Sequence, residues 1–368
     1  MIKILFLIHD LGQGGAEKVL VNLVNNMDRS KFDITVVTLF GGGVNEQFLK
    51  PHIKLRSVFK KAFPANSKIM KLFTPRFLHK HCIKEHYDIE VSYLEGPSAR
   101  IISGCPYDDT KLISWIHCTM QSENDVANDF RNYKEANLCY NKFNFTAFVS
   151  KGVRDAFVKY SEYSGITQVL YNTIESDEII CKSKENVNCL DSDTIKLIAT
   201  GTLKQVKGFD RLLRIAKKLL ADSLDFHLYI LGKGPLQKEL EEYINSNGLD
   251  KTVTLLGYDT NPYKYLEKCD LFVCSSYSEG FSTAATEALI VGTPVVTVEV
   301  SGMKEMLGEN NEYGIVTENN EEALYEGIKK MLTTPGMLED YAKRAEERGK
   351  CFSTENTVKA VENMLESL

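Results

Sequence analysis

Two glutamates, Glu279 and Glu287, stand eight positions apart where an apolar stretch gives way to a helical one. Residues 271–274 form an apolar run typical of a buried strand, and the residues after Thr283 have the composition of a helix. The segment therefore predicts a strand, a tight loop and a helix start. Because the first amides of a helix have no partners inside it and its dipole favours anions, Ser282 and Thr283 could donate amides to a phosphate.

The spacing of the two glutamates permits two interpretations. Glu287 would lie about one turn into the helix, one ligand length from Glu279, so the carboxylates could bracket a phosphate from opposite sides. Two carboxylates on either side of a diphosphate suggest a ligand that carries a polyol at each end. Alternatively, a glutamate in the first turn of a helix complements the helix dipole, which stabilises by only about 0.3–1 kcal/mol.

The residues around the pair resemble the Glu-x7-Glu motif of family 4 glycosyltransferases, which are retaining enzymes with the two-domain GT-B architecture. The resemblance continues in Ala288-Leu289 and Gly292-Thr293-Pro294-Val295-Val296. It implies that Glu279 faces the donor sugar and that Glu287 holds the ribose hydroxyls of a nucleotide. It also implies that Gly280 and Phe281 present backbone amides to the donor hexose.

A second motif could supply positive charge. Residues 201–208, Gly-Thr-Leu-Lys-Gln-Val-Lys-Gly, resemble the family's Gly-Arg-x4-Lys-Gly, in which Arg and Lys clamp the donor diphosphate. Sugar transfer requires stabilisation of the departing phosphate more than a strong base. Lys207 matches the motif and could otherwise be a surface lysine at a helix start. Thr202 replaces the Arg and removes a bidentate phosphate partner, leaving Lys204, another residue or weaker stabilisation.

Glycine-rich strand ends complete the resemblance. The loop of residues 12–15, with Gly14 and Gly15, resembles the family's first loop, whose amides approach the donor phosphate and the acceptor. A tight strand-to-helix turn would explain the same glycines. Gly232 and Gly257 follow two apolar runs and resemble loops that line the nucleotide base.

His117 follows the strand-like run of residues 112–116, at the expected carboxyl edge of the first sheet, where open α/β sheets bind ligands. It resembles the family's active-site histidine, which contacts the donor sugar near the reacting centre. That resemblance implies that it orients the sugar and that the departing phosphate accepts the acceptor's proton. A satisfied buried histidine is the alternative.

The length and composition of the chain predict two soluble α/β domains. Of its 368 residues, 43% are hydrophobic and 26% are charged. This length exceeds what a single hydrophobic core normally supports. Strands and helices alternate from Ile2 and again from Ile195, as in doubly wound domains. The resemblance implies that the two face each other across a cleft. The expected divisions are an acceptor-binding domain at 1–171, a connection at 172–193, a nucleotide-sugar-binding domain at 194–345 and a helix at 346–368 that returns to the first domain.

Composition also bears on cofactors and compartment. The nine cysteines include no Cys-x2-Cys pair, which favours a reducing cytosol over a disulfide or zinc framework. The apolar run Ile4 to Ile8 is too short for a signal peptide, and no window suits a membrane span. Asp191-Ser192-Asp193 matches an Asp-x-Asp metal motif of another glycosyltransferase architecture but falls in a polar connection. We expect a cytoplasmic protein with no cofactor and no metal.

Positive charge is concentrated in one stretch. From Lys50 to Lys84 the chain has ten basic residues and no acidic one, although its net charge is −6. Interleaved aromatic and aliphatic residues make the stretch typical of a surface that lies on anionic lipid. Nucleic acid would also satisfy the charge, and a solvated basic face is the third alternative. We adopt the membrane interpretation and expect no nucleic-acid partner. The residues expected to contact the membrane form a basic patch of Lys60, Lys61, Lys68, Lys71, Arg76 and Lys80.

Together these features favour one function. It is retaining transfer of a hexose or N-acetylhexosamine from a nucleotide sugar, expected to be UDP-linked, to a lipid-linked glycan at the cytoplasmic membrane face, as in surface polysaccharide biosynthesis. Thr202 keeps a non-catalytic partner subunit of the same fold open. A nucleotide-sugar epimerase is the other alternative, because such isomerases share the two-domain architecture.

Overall fold

The computed structural model describes residues 1–187, 189–190 and 194–368, which form two compact units. Unit 1 comprises Met1–Ile174 and Thr354–Leu368, and unit 2 comprises Glu175–Ser353. Each unit is a parallel sheet with helices, so the predicted doubly wound α/β class is confirmed. The Asp191-Ser192-Asp193 motif lies outside the described residues. Within them, no helix has the length and apolar character to cross a bilayer.

Unit 1 is built on seven parallel strands in the order β3-β2-β1-β4-β5-β6-β7. Its central strands β1, β4 and β5 are largely buried and mainly apolar, as expected for a parallel sheet whose two faces are covered by helices. The strands are β1 Ile2–Ile8, β2 Phe32–Phe40, β3 Lys54–Phe59, β4 Ile89–Tyr93, β5 Lys111–Ile116, β6 Phe145–Phe148 and β7 Ile166–Val169. The helices are α1 Gly15–Asn26, α2 Asn66–Met70, α3 Pro75–Cys82, α4 Pro97–Ile102, α5 Glu123–Ala127, α6 Tyr133–Tyr140 and α7 Lys151–Tyr160.

Unit 2 repeats the plan with six parallel strands in the order β10-β9-β8-β11-β12-β13. The strands are β8 Ile195–Thr200, β9 Phe226–Leu231, β10 Val253–Gly257, β11 Leu271–Cys274, β12 Val295–Val298 and β13 Ile315–Thr317. The helices are α8 Ser176–Ser183, α9 Phe209–Ala221, α10 Gln237–Ser246, α11 Tyr263–Leu266, α12 Thr283–Ile290, α13 Met303–Leu307, α14 Glu321–Thr333 and α15 Met337–Gly349.

The segment expected to connect the domains contains a helix. Helix α8 packs against α11 and α12 and belongs to unit 2. The Asn261 side chain donates to the Lys182 carbonyl over 3.0 Å, fixing the end of α8 to the loop before α11. The polar sequence concealed this helix because α8 buries only one side. The structural division therefore falls after Ile174, inside the expected connection.

The last helix, α16 Thr354–Glu366, belongs to unit 1, which confirms the expected return to the first domain. Its Glu362 carboxylate accepts from the Asp28 amide over 2.6 Å, and Glu366 pairs with Lys31 over 2.6 Å. The helix begins later than the expected residue 346, because α15 continues to Gly349 in unit 2. Gly349 lies so close to α12 that an added Cβ would stand 2.4 Å from the Leu289 carbonyl oxygen.

The aromatic cluster under α7 gives a stability prediction for unit 1. Phe157 is fully buried, with ring centroids 4.9 Å from Tyr140 and 5.5 Å from Phe148. Phe157→Ala should lower the free energy of unfolding of unit 1 by about 3–5 kcal/mol, because it removes a large side chain and leaves a cavity. Urea unfolding followed by the fluorescence of Trp115, the single tryptophan, reports on unit 1.

The neighbouring Val158 provides the matched control. Its side chain, the next along α7, is 46% exposed. Val158→Ala should change the free energy of unfolding by less than about 0.5 kcal/mol. Equal losses in the two variants would contradict the packing described for Phe157.

Candidate active site

In unit 2, the loops that follow β8 and β11 lie side by side at the carboxyl edge of the sheet. The strand order reverses between these two strands, and open α/β sheets bind ligands at such a switch point. The loop after β8 carries Lys207, and the loop after β11 carries Ser276 and Glu279. A pocket at this point is lined by all three and by Ser282. Two motifs about 70 residues apart in sequence therefore contribute to one site.

Two side chains hold the Glu279 carboxylate in this pocket. Its Oε1 accepts from the Lys207 ammonium over 2.6 Å and from the Ser276 hydroxyl over 2.6 Å. The Glu279 side chain is only 12% exposed, and a carboxylate removed from water is stabilised by a positive partner and a donated hydrogen bond. The arrangement fixes the position of one carboxylate and one ammonium group at the sheet edge.

Helix α12 begins at Thr283, four residues after Glu279. The Ser282 side chain caps it by accepting from the Ala285 amide over 3.3 Å. Glu287 is half-buried and is the fifth residue of the helix. It thus lies beyond the first turn, where a helix dipole acts most strongly. The dipole explanation considered for its position therefore has little geometric support.

Gly280, Phe281 and Ser282 form the short loop between Glu279 and α12. The Phe281 side chain is buried, with its ring centroid 5.9 Å from that of Phe352. Because its ring belongs to the core of unit 2, Phe281 could contact a ligand only through its backbone. That is the role which the family resemblance implied for it.

Glycines allow the strand-end loops of unit 2 to approach each other closely. Gly201 and Gly232 have φ of +152° and +151°, and a Cβ on Gly232 would stand 1.9 Å from the Gly201 carbonyl oxygen. The Gly232 amide donates to the Gly257 carbonyl over 2.7 Å. Gly208, with φ of +65°, lies against Ser275, whose carbonyl oxygen would be 2.0 Å from an added Cβ. Thr202 is exposed beside these glycines.

Arg211 on α9 is a site residue that the sequence did not reveal. Its guanidinium is buried and donates to the carbonyls of Ser275 over 2.6 Å and Ser276 over 2.7 Å. It also donates to the Asn319 side chain over 2.8 Å and stacks on Tyr277. Arg211 therefore holds the chain that leads from β11 to Glu279. It stands among apolar residues of α9, and only its tertiary contacts distinguish it from a surface arginine.

In unit 1, the strand ends of β1, β4 and β5 lie next to one another at the carboxyl edge of the sheet. Gly14 is the N-cap of α1 and Gly15 its first residue, in the loop after β1. His117 follows β5, and its amide donates to the Glu95 carboxylate after β4 over 2.9 Å. The structure thus brings Glu95 to His117 across neighbouring strands. The sequence analysis missed Glu95 because nothing in its local pattern distinguishes it.

The His117 ring is buried among aromatic neighbours. Its centroid is 4.7 Å from that of Tyr93 and 6.3 Å from that of Trp115. Burial lowers the pKa of His117 from its ordinary value of 6.5 to about 4, and the nearby Glu95 offsets this only in part. The buried Nε2 has no hydrogen-bond partner among the described residues. His117 is therefore a neutral imidazole at neutral pH with one unsatisfied polar atom.

Two further carboxyl groups lie near this edge. Burial raises the pKa of Glu17 on α1, and nearby Asp10 adds to that effect. Burial likewise raises the pKa of Asp129, which the positive charge of Lys71 partly offsets. Perturbed carboxyl groups often mark ligand sites. Neither residue was singled out from the sequence, because the raised pKa values arise from tertiary burial.

The six residues of the basic patch lie on α2 and α3 and in the loops next to these helices. Lys60, Lys61, Lys68, Arg76 and Lys80 are exposed, and Lys71 is half-buried, with its ammonium 2.5 Å from the Asn128 carbonyl. The structure leaves several large apolar side chains of this stretch exposed, with Leu72 the most exposed at 76%. The others are Leu55, Phe59, Ile69, Phe73 and Phe77. These six side chains are therefore not part of the core, whereas Met70 and Leu78 of the same stretch are buried.

Comparisons with known proteins identify the family. A model of the family described as "Glycosyltransferase Family 4" matches residues 13–178, and a model described as "Glycosyl transferases group 1" matches residues 182–348. The chain belongs to glycosyltransferase family 4. As a member of this family it is a glycosyltransferase, as the motifs around Glu279 and Lys207 predicted.

Relatives of this glycosyltransferase match it along nearly its whole length. The N-acetylgalactosamine-N,N'-diacetylbacillosaminyl-diphospho-undecaprenol 4-alpha-N-acetylgalactosaminyltransferase of Campylobacter jejuni is 29% identical over 362 residues, which cover 96% of each chain. The solved structure of Anabaena HepE with UDP has a TM-score of 0.77 at 19% identity and covers 100% of both chains. Sucrose-phosphate synthase of Thermosynechococcus elongatus has a TM-score of 0.78 at 14% identity, covering 100% of this chain and 99% of that one. The GT-B fold class is thus confirmed.

The low pKa of His117 gives a prediction for this glycosyltransferase. The folded state holds His117 neutral, while the unfolded state takes up a proton near pH 6.5. The free energy of unfolding is therefore at its full value above that pH and decreases as the pH falls towards 4. His117→Asn should remove this loss, so the unfolding free energy of unit 1 should fall less than that of the parent between pH 6.5 and 4. Urea unfolding followed by Trp115 fluorescence measures the difference.

The control for this experiment is His52→Asn, which changes an exposed histidine in the same unit and retains His117. Its pH profile should follow that of the parent protein. A His117→Asn profile parallel to the parent over the same pH range would contradict the buried, neutral state of His117.

Proposed function

We propose that this glycosyltransferase moves a hexose or N-acetylhexosamine from a UDP-sugar to a lipid-linked glycan acceptor, with retention of the anomeric configuration. The observation that carries the proposal is the Glu279 carboxylate, held by Lys207 and Ser276 at the sheet edge where α12 begins. The HepE structures that contain UDP and UDP-glucose support the choice of donor. The name of the Campylobacter jejuni relative, which specifies a diphospho-undecaprenol, supports the choice of acceptor and a place in polysaccharide or glycan biosynthesis.

The donor diphosphate would bind where positive charge and helix amides converge. Lys207 provides an ammonium group at the sheet edge, and the first amides of α12, at Ser282 and Thr283, favour an anion at the helix N-terminus. In the absence of a donor, Glu279 neutralises Lys207. A bound diphosphate would share the Lys207 ammonium, while Glu279 accepts a hydroxyl of the donor sugar. Glu287 would then accept the ribose hydroxyls from its position in α12.

The departing UDP would be stabilised without a bound metal. Lys207 and the α12 amides can offset the charge that grows on the leaving phosphate, which is the main requirement of the reaction. Thr202, in place of an Arg, contributes no charge, so the leaving group receives less stabilisation from this loop. We therefore expect turnover in buffers that contain a chelator.

The chemistry proposed for His117 follows from its protonation state. An imidazole with a pKa of about 4 is a weak base at neutral pH, so His117 is poorly suited to remove the acceptor's proton. The departing phosphate oxygen is the better acceptor for that proton, which is consistent with attack and departure on the same face of the sugar. His117 would orient the sugar by hydrogen bonding, and Gly14 and Gly15 would offer backbone amides from the first loop.

The donor site gives a quantitative test. Glu287→Ala should weaken UDP binding by roughly 10- to 100-fold, because two ribose hydroxyls lose a charged acceptor. Isothermal titration with UDP measures the affinity. Glu242→Ala, an exposed position on α10, is the control and should bind UDP as the parent does. Unchanged affinity in Glu287→Ala would refute the ribose role.

Turnover distinguishes the proposed transferase from the two alternatives. A retaining transferase should release UDP with a lipid-linked glycan acceptor and form a product whose anomeric configuration, read by NMR, matches that of the donor. A partner subunit would bind UDP without releasing it from any UDP-sugar. An epimerase would convert the UDP-sugar to its epimer with no acceptor present.

We propose further that the basic patch holds the protein on the cytoplasmic face of an anionic membrane. The argument rests on exposed apolar side chains among lysines, since such a surface has affinity for headgroups and for the acyl boundary beneath them. The Phe73 and Phe77 rings stack at 4.9 Å, next to exposed Leu72. Nucleic acid would satisfy the lysines but would not remove Leu72 from water.

The loop that carries Leu72 is firmly held. The buried Arg100 guanidinium donates to the Met70 carbonyl over 2.8 Å and to the Phe73 carbonyl over 2.6 Å, and it pairs with Glu135 over 3.0 Å. These contacts fix both ends of the turn. Leu72 therefore points away from the protein on an ordered loop, which reduces the entropy lost when it enters a membrane.

Reversing the charge of the patch should abolish membrane binding. A variant with Lys60, Lys61, Lys68 and Lys80 changed to Glu should lose at least about 100-fold in affinity for vesicles rich in phosphatidylserine, because each lysine contributes about 1 kcal/mol near an anionic surface. Vesicle co-sedimentation at two salt concentrations measures the affinity, and binding of the parent should weaken with salt.

Four exposed lysines of unit 2 provide the matched control: Lys217, Lys238, Lys251 and Lys343 changed to Glu. This variant has the same net charge and should retain more vesicle affinity than the patch variant. Equal losses in the two variants would show that net charge, and not the patch, determines binding. Stronger binding of the parent to RNA than to vesicles would favour the nucleic-acid alternative.

A further inference from the structure

A buried cluster in unit 1, away from the strand ends described above, combines three kinds of metal-binding side chain. His79 lies on α3, Glu90 is the second residue of β4, and Cys105 lies in the segment after α4. One ligand atom from each residue lies within 4.8 Å of the others. The cluster is at the amino end of β4, whereas Glu95 and His117 follow the carboxyl ends of their strands.

The Glu90 carboxylate is incompletely satisfied. The residue is 0% exposed, and its Oε2 is 2.8 Å from the His79 Nε2. Its Oε1 is buried without a hydrogen-bond partner among the described residues. A buried carboxylate is costly to leave partly unpaired. Oε1 therefore marks a position where a cation or a strong donor would be stabilised.

We propose that His79, Glu90 and Cys105 bind a zinc ion. Imidazole, carboxylate and thiolate are the three side chains that zinc prefers, and it commonly takes three protein ligands with a water in the fourth position. Calcium and magnesium prefer oxygen ligands, so a set with nitrogen and sulfur disfavours both. At zinc bond lengths the ligand atoms stand roughly 3.5 Å apart, so a modest closure of the cluster brings all three onto one ion.

Charge balance supports this assignment. Zinc with one carboxylate, one thiolate and one neutral imidazole carries no net charge, which suits a buried position. Zinc coordination would release the Cys105 thiol proton to solvent. Cys105 is partly exposed, which provides a path for the ion.

The site would tie α3 to the sheet. Helix α3 carries Arg76, Phe77 and Lys80 of the basic patch and its flanking aromatic residues. A metal bond from His79 to β4 would restrain this helix. The sequence concealed the site because its ligands are 11 and 15 residues apart and form no recognisable zinc motif. A hydrogen-bonded His79–Glu90 pair, with the Cys105 thiol as a further hydrogen-bond partner of Glu90, is the competing explanation.

Metal binding by the full-length protein tests the proposal without an activity assay. Chelator-treated protein dialysed against zinc should bind one ion per chain, and its melting temperature should rise with zinc concentration. Cys105→Ala should weaken zinc binding by at least about 10-fold. Cys351→Ala, an exposed cysteine of unit 2, is the control and should bind as the parent does. Parent protein that binds no zinc would overturn the proposal.

A second measurement needs no variant and remains valid if Cys105→Ala folds poorly. Zinc should slow the alkylation of Cys105 in the parent protein, measured by mass spectrometry of its peptides, while Cys351 is alkylated at an unchanged rate. Equal protection of both cysteines, or of neither, would contradict a zinc site at Cys105. Cobalt substitution should add a thiolate charge-transfer band that is absent in Cys105→Ala.

Discussion

The Lys207–Glu279 ion pair is the interaction on which the unit 2 site depends. A carboxylate that is largely removed from water keeps its place only if positive charge and hydrogen bonds accompany it. Lys207 and Ser276 provide these over 2.6 Å each. Because the two partners follow different strands, the pair also joins the loops after β8 and β11. The charge that positions Glu279 is the same charge that a donor diphosphate would use.

That ion pair in turn requires an ordered backbone, which Arg211 and two glycines provide. Arg211 holds the carbonyls of Ser275 and Ser276, and Gly208 lets the Lys207 loop approach Ser275 without a side chain between them. Gly232 allows a similar approach to Gly201. Several contacts therefore hold the backbone on both sides of the Lys207–Glu279 pair. This order is the usual condition for electrostatic stabilisation of a leaving group.

How much of the structure can be predicted from the sequence depends on how far apart the contacting residues are along the chain. The first strand was predicted to start at Ile2, as observed, because its residues from Ile4 to Ile8 form an apolar run of the kind that is buried in a parallel sheet. The polar helix α8 was missed, since its packing on α11 and α12 involves residues far along the chain. Motif residues such as Lys207 and Glu279 could be found locally. Their supporting residue Arg211, and Glu95 beside His117, depend on contacts across 22 to 65 positions.

The candidate site residues of unit 2 are charged, whereas the buried histidine of unit 1 is neutral, and this difference suits glycosyl transfer. Unit 2 concentrates a fixed ammonium group and helix amides, which on the proposed mechanism would stabilise a leaving diphosphate. Unit 1 instead buries His117 until it is neutral, with an unsatisfied Nε2. A neutral imidazole can orient a hydroxyl without competing for the proton that a departing phosphate must accept. On the proposed mechanism, burial lowers the pKa of His117, so its imidazole does not compete with the departing phosphate for the acceptor's proton. The desolvation of this ring thus contributes to the choice of proton acceptor.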